Sequence, residues 1–221
     1  MKVADHVESA LIDWDAGRLE SALTHACIAV DGTARRMFPK LGNRDRYIRC
    51  LRHFYWMVEP ALGAGIDLEK TTFPEVKIKK GTPPDFAEIV YEVFRCAHAH
   101  GDEVPPQYDL IMGGKDGLRW IMGEGTLQFP HTLLFALLFV AVFAPVNKGE
   151  RPIGNSYLSL GAEPHLSKFI ISDWWGRAAD LQPIAKKYNK VRVHIITPEG
   201  HKYVKDGPTA QLLIDLTPDG S

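Results

Sequence analysis

Cysteine is scarce: three residues, at 27, 50 and 96, an odd number with no Cys-x-x-Cys pair. That argues against a disulfide framework and a structural zinc site, and fits a reducing, cytoplasmic setting. Charge imbalance is also missing, with a formal net charge of −1 across 221 residues. The chain as a whole is therefore not a basic nucleic-acid binder, and any such role must come from a local patch. The opening "MKVADHVESALIDWD" has early acids and no apolar core, so it does not read as a signal peptide. The most apolar run, Thr132 to Ala144, is shorter than the ~20 residues a membrane span needs and reads as a buried helix.

What is present is a normal globular composition, 45% hydrophobic and 24% charged. Val7, Leu11 and Trp14, then Leu23, Ala26, Val30, Ala34 and Met37, recur at helical steps. Residues 3 to 37 are expected to form one long helix or two collinear ones. Asn43 is expected to cap a helix from Arg44 to about Ala61, carrying Tyr47, Leu51, Phe54 and Val58 on its apolar face. A long polar connection follows. Asp85 then caps a helix that Gly101 is placed to end. The stretch from Tyr108 to Phe129 reads as a small hairpin around Gly-Gly-Lys-Asp-Gly, ahead of the apolar helix that Pro145 ends. A boundary is expected near residue 150. Beyond it, "VRVHIITPEGHKYV" contains two β-like runs about a turn, and "AQLLIDL" reads as a strand or short helix. The expected fold is mainly α: an up-and-down four-helix bundle with an inserted β-hairpin over residues 1–150, then a smaller mixed α/β region over 151–221.

Chemistry concentrates in "FRCAHAHGDEVP", which places Arg95, Cys96, His98 and His100 within six residues. Arg95 and His100 are five apart, about 140° of rotation in an α-helix, so they converge only where the helix ends or distorts. Arg95 and His98 are three apart and share a face. A cation beside a titratable imidazole suits phosphodiester cleavage: one stabilises charge on the phosphate and the other moves a proton near neutral pH. RNA supplies its own 2′-hydroxyl nucleophile, and no metal or cofactor is called for. Simpler alternatives are an ion pair of Arg95 with Glu92 or Glu88 and a solvated helix-end His98. Zinc binding by His98, His100 and Asp102 is disfavoured, because that spacing gives no shared helical face. Cys50 and Cys96 each follow an arginine, which either lowers their thiol pKa or merely accompanies two small core residues.

A second feature is a basic run. Arg35, Arg36, Lys40, Arg44, Arg46, Arg49 and Arg52 fall between residues 35 and 52, with Asp45 the one acid among them. Lys77, Lys79 and Lys80 follow later. Such segregation attracts a phosphate backbone, and a solvated helix face is the plainer alternative. Arg46, Arg49, Arg52 and His53, with His98, are the candidate substrate-binding residues. Arg49 and His53, four apart on one helix face, form the second-choice site.

"YEVFRCAHAHGDEVP" resembles the Arg-x4-6-His segment of HEPN-domain proteins, here with four intervening residues. "ALTHACIAVDGTARRMF" is similar to that family's first helix, and "LQFPHTLLFALLFVAVFAPVN" looks like the continuation in one branch of it. The resemblance covers residues 1 to 147. It implies a helical bundle that dimerises with the two motifs facing each other. Many members are metal-independent endoribonucleases of toxin, defence or RNA-processing systems, some with antitoxin or nucleotidyltransferase partners. Others are inactive dimerisation or partner-binding modules. Carried onto this chain, Arg95 and His100 are the catalytic pair. The family's often polar residue after the arginine is Cys96 here, and the tyrosine of one toxin subgroup is replaced by Asp102.

Overall fold

The computed structural model describes residues 2–62, 66–74, 76, 78, 83–96, 108, 110–111, 121–123, 126–161, 164–188, 192–194 and 204–206. The protein is mainly helical. Helix α1 (Val3–Asp15) and α2 (Leu19–Met37) are not collinear. Gly17, at φ +73°, turns the chain back on itself, so the two form an antiparallel hairpin. Asp13 holds the turn by accepting hydrogen bonds from Arg18 Nε at 2.9 Å and from Ser21 Oγ. The apolar spacing identified both helices, but it could not show that they pack on each other.

The expected helix from 44 to 61 is also two pieces, α3 (Asn43–His53) and α4 (Tyr55–Leu62). The break falls at Phe54, whose N–H bonds to Leu51 O at 3.0 Å in a tighter turn. Gly42, not Asn43, occupies the cap position. The connection after α4 is less polar in use than in composition: Ile66, Leu68, Phe73 and Val76 are buried in the core.

Asp85 caps α5 (Phe86–Ile89) as expected, accepting from Glu88 N at 3.0 Å, with Glu88 reciprocating in a capping box. The helix then widens into a π-helical segment, Val90–Arg95. Strand β1 (Leu110–Ile111) runs parallel to β3 (Thr126–Pro130), and β2 (Ile121–Gly123) pairs antiparallel with β3. The hairpin thus joins β2 to β3, and the run before Gly-Gly-Lys-Asp-Gly lies on the far side of β3. Residues 113–117 themselves lie outside the described set.

Helix α6 (Thr132–Phe143) is apolar on every side, and its residues from Ala136 to Phe143 are all buried. It packs against α2 and α4. Pro145 ends it as expected, opening a short 3-10 turn, Pro145–Asn147. Among the described residues, no helix is long and apolar enough to cross a membrane.

The core continues past residue 150. Strands β4 (Tyr157–Leu160) and β5 (Ser167–Ile170) form a hairpin that points Leu158, Leu160 and Phe169 inward. The short helix α7 (Ile171–Trp174) and then α8 (Ala178–Tyr188) follow. Leu181 and Ala185 join the same buried cluster as the helical bundle. Gly176, at φ +76°, lies so close to Lys148 that a Cβ would meet it at 2.7 Å, and its N–H bonds to Val142 O at the end of α6. Strands β6 (Arg192–His194) and β7 (Val204–Asp206) pair antiparallel; β6 falls in the first β-like run, while the second run apart from Val204 lies outside the described residues. The "AQLLIDL" stretch lies outside the described residues.

One pH response follows from the first hairpin. His6 is buried on α1, with its Nδ1 3.1 Å from Nδ1 of His25 on α2. His25 Nε2 in turn lies 3.8 Å from Asp13 Oδ2. Burial lowers the His6 pKa below its ordinary 6.5, and the neighbouring His25 and the N-terminal amine add to that, against a smaller opposing pull from Asp5. The folded state therefore favours neutral His6, and the unfolded chain takes up the proton first. Stability is expected to be fully present above about pH 6.5 and to fall as the pH drops below it. Denaturation midpoints at pH 7.5 and 5.5 check this; a His6→Gln variant should show a flatter profile over that interval.

Candidate functional site

The described part of the Arg-x4-His segment is its arginine end. Arg95 closes the π-helical segment, and Cys96 continues helically. In that segment the hydrogen bonds run from i to i+5, so the faces expected of a regular α-helix no longer apply. The wider turn carries Arg95 towards α2, where its Nη2 donates to Asp31 Oδ2 at 3.2 Å. Its guanidinium carbon also lies 5.4 Å from the Tyr91 ring centre, in cation–π range. The expected partners Glu88 and Glu92 are taken instead by Arg44, at 3.4 and 2.8 Å. His98 and His100 lie outside the described residues, as do Gly101, Asp102, Lys77, Lys79 and Lys80.

Asp31 serves a second arginine. Arg46 on α3 places Nη2 3.5 Å from Asp31 Oδ1, so one carboxylate sits between two guanidinium groups from different elements. The side chains of Arg46, Arg95 and Asp31 are 12%, 18% and 23% exposed. Charges this far from bulk water interact more strongly than surface pairs do. Burial works against the Arg95 charge, but the Asp31 hydrogen bond and charge outweigh it and leave its pKa above the ordinary value. Arg46 Nε is buried and has no hydrogen-bond partner among the described residues.

Aromatic rings and thiols line the inner side. Tyr47 is fully buried, its ring 5.5 Å from that of Tyr91. Burial pushes the Cys27 thiol up to about 12, with the Tyr47 hydroxyl and Arg95 pulling weakly the other way. Cys50 is likewise pushed up to about 12 by burial, so the preceding arginine does not activate it. Both are small core residues in a protonated state. Tyr47 and Tyr55 fill the core and do not offer faces for base stacking.

Most of the basic run is engaged internally. Arg52 donates to Asp85 Oδ2 at 2.6 Å and lies 3.5 Å from Glu88. Arg36 bonds Asn147 at 2.7 Å and Glu150 at 2.6 Å. Arg49 is exposed and covers the Phe38 ring at 5.0 Å. His53 is exposed and meets Phe54 edge-on. Arg49 and His53 are thus at the surface, apart from the Asp31 cluster's hydrogen bonds. Arg35 and Lys40 also remain exposed. Among the described residues, no three His, Cys, Asp or Glu side chains gather to hold a metal ion.

Asp31 is the residue that sequence reasoning overlooked. Its signal was modest: the one acid between Leu23 and Met37, in a stretch otherwise built of small, apolar and basic residues. Only the placement of α3 and the π-helical segment against α2 gives it two arginines.

No solved structure matches the chain. It is 36% identical over 181 residues to the uncharacterised proteins Rv1289 and MT1327 of Mycobacterium tuberculosis, strains H37Rv and CDC 1551. The same identity over the same length is found with the uncharacterised protein Mb1320 of Mycobacterium bovis. In each case the alignment covers 80% of this chain and 84% of the relative. The sequence pattern of the Rv1289 family matches residues 2–198, so the chain belongs to the Rv1289 family.

Proposed function

We propose that this protein is an RNA-binding homodimer of HEPN-like architecture that cleaves RNA without a metal. In this reading Arg95 stabilises the phosphate, and His100 acts as general acid or base on the 2′-hydroxyl or the leaving oxygen. The supporting observation is the convergence of Arg95 and Arg46 on the single carboxylate of Asp31. Two positive charges and one negative charge leave a net positive charge in a partly buried setting, which suits a phosphodiester. A cytoplasmic setting and an antitoxin or nucleotidyltransferase partner belong to the same proposal.

A second reading has its own support. Arg95 is already held by Asp31, and Arg36, Arg44 and Arg52 are held by other polar side chains. A bundle wired in this way also suits a catalytically silent dimerisation or partner-binding module.

Incubation of the purified protein with mixed RNAs in EDTA separates the two. The enzyme reading expects cleavage that falls at least about 100-fold in Arg95→Ala and in His100→Ala, with folding retained. Intact RNA, with both variants keeping wild-type partner binding, would establish the silent module. Sedimentation tests the dimer on its own: a monomer at working concentration removes the facing-motif arrangement.

A further inference from the structure

We infer that Arg46, Asp31 and Arg95 form a binding site for one phosphodiester group, with the Nε–Nη2 edge of Arg46 as its principal donor. The biological ligand, an RNA backbone phosphate, rests on the RNA-binding reading above; the site itself rests on three features of the cluster.

The first is charge. Among the described residues, Arg46 and Arg95 carry two positive charges against one on Asp31, a balance of +1. A phosphodiester monoanion brings it to zero. The neighbouring cluster, between α3 and the run from the Asp85 cap through α5 to Glu92 of the π-helical segment, has the opposite balance. Arg44 and Arg52 face Asp85, Glu88 and Glu92, two positive charges against three negative, or −1. That cluster repels an anion, although it too contains two arginines of the basic run. The whole-chain charge of −1 conceals this difference between adjacent sites.

The second is an unfilled donor. An arginine grips a carboxylate or phosphate side-on through Nε and Nη2 together. In Arg46 that edge is half used: Nη2 reaches Asp31, and Nε has no partner among the described residues. A buried donor without an acceptor is costly, so the cluster is one acceptor short. Asp31 does not supply it: its Oδ1 meets Arg46 Nη2 and its Oδ2 meets Arg95. A phosphate has oxygens enough to take the Arg46 edge and an Arg95 N–H together, once the Arg46 guanidinium turns that edge outward.

The third is construction. The three side chains come from α2, α3 and the π-helical segment, so the site exists only when these pack. Asp31 holds both guanidinium groups in place before the ligand arrives, which lowers the ordering cost of binding. Tyr91 backs Arg95 from the other side. Arg49 and Arg52, by contrast, are anchored one to a ring and one to acids, and neither joins this cluster.

The test is a titration of the full-length protein with dimethyl phosphate, followed by arginine side-chain proton–nitrogen NMR. The Arg46 Nε–H signal is expected to shift and saturate. Arg46→Lys, which keeps the charge but lacks the side-on edge, is expected to weaken binding at least about tenfold. Arg44→Gln, in the neighbouring cluster, is expected to weaken it far less, since Arg44 bonds Glu88 and Glu92 and gives no hydrogen bond to Asp31. An Arg46 Nε–H signal that stays fixed throughout the titration, or equal weakening by Arg44→Gln, overturns the assignment. The wild-type spectrum decides the matter even if Arg46→Lys folds poorly. A parallel titration with single-stranded RNA separates this site from the broader reading. Dimethyl phosphate bound at Arg46 with no RNA binding keeps the site and removes the RNA reading. RNA binding that leaves the Arg46 signal fixed does the reverse.

Discussion

Asn147→Ala is expected to cost about 3 kcal/mol of folding stability, a large effect for removing one polar side chain. Asn147 is fully buried beyond the end of α6. Its Nδ2 donates to Ala141 O at 2.7 Å and to Thr33 Oγ1 at 2.8 Å. Its Oδ1 accepts from Arg36 Nη1 at 2.7 Å. The bond to Ala141 has a specific cause. In a regular helix the Ala141 carbonyl would accept from the N–H four residues on, and that residue is Pro145, which has none. Asn147 supplies the missing donor from the following turn. Alanine leaves that carbonyl buried without it and loosens the tie between α2 and the end of α6. Urea unfolding gives the measurement; a loss under about 1 kcal/mol with an unchanged m-value would show that the network is dispensable.

Phe143→Ala is expected to cost about 3–5 kcal/mol, the usual range for removing a buried phenylalanine. Its ring stacks on Phe139 at 5.1 Å and 8°, meets Phe169 edge-on at 5.5 Å, and lies 5.6 Å from Trp174. The side chain therefore joins the helical bundle to the segment of β5 and α7. The cavity is expected to lower hydrogen-exchange protection in α6 and in residues 167–174 together, because both rely on the same aromatic cluster. Protection lost only in residues 167–174, with α6 unchanged, would show that the segment is a separate unit docked on the bundle.

How far the sequence could be read depended on how local the controlling forces were. Asp85 was legible as a helix cap because capping involves residues three apart. Pro145 was legible as a helix end because the missing N–H is its own property. The apolar helix after Pro130 was legible because its residues are apolar all round. Phe54 was not legible as a break, since it keeps the helical spacing of its neighbours and the tighter turn leaves no mark on composition. The strand partner of Leu110–Ile111 was not legible either, because parallel pairing is set by a distant strand.

The site divides along the same line. The sequence by itself determined that a mainly helical chain carries Arg95 close to two histidines and a strongly basic stretch from 35 to 52. It also set the scarcity of cysteine and the near-zero net charge. Tertiary structure alone decided which of those cations face acids and which do not. Coulombic pairing depends on separation in space, and helix packing brings Asp31 to Arg46 and Arg95 while giving Arg44 and Arg52 three acids to share. One sequence run is thereby split into a cluster with an excess of negative charge and a cluster with an excess of positive charge. Side chains 15 and 64 residues from Asp31 meet on it because α2 packs against both α3 and the π-helical segment.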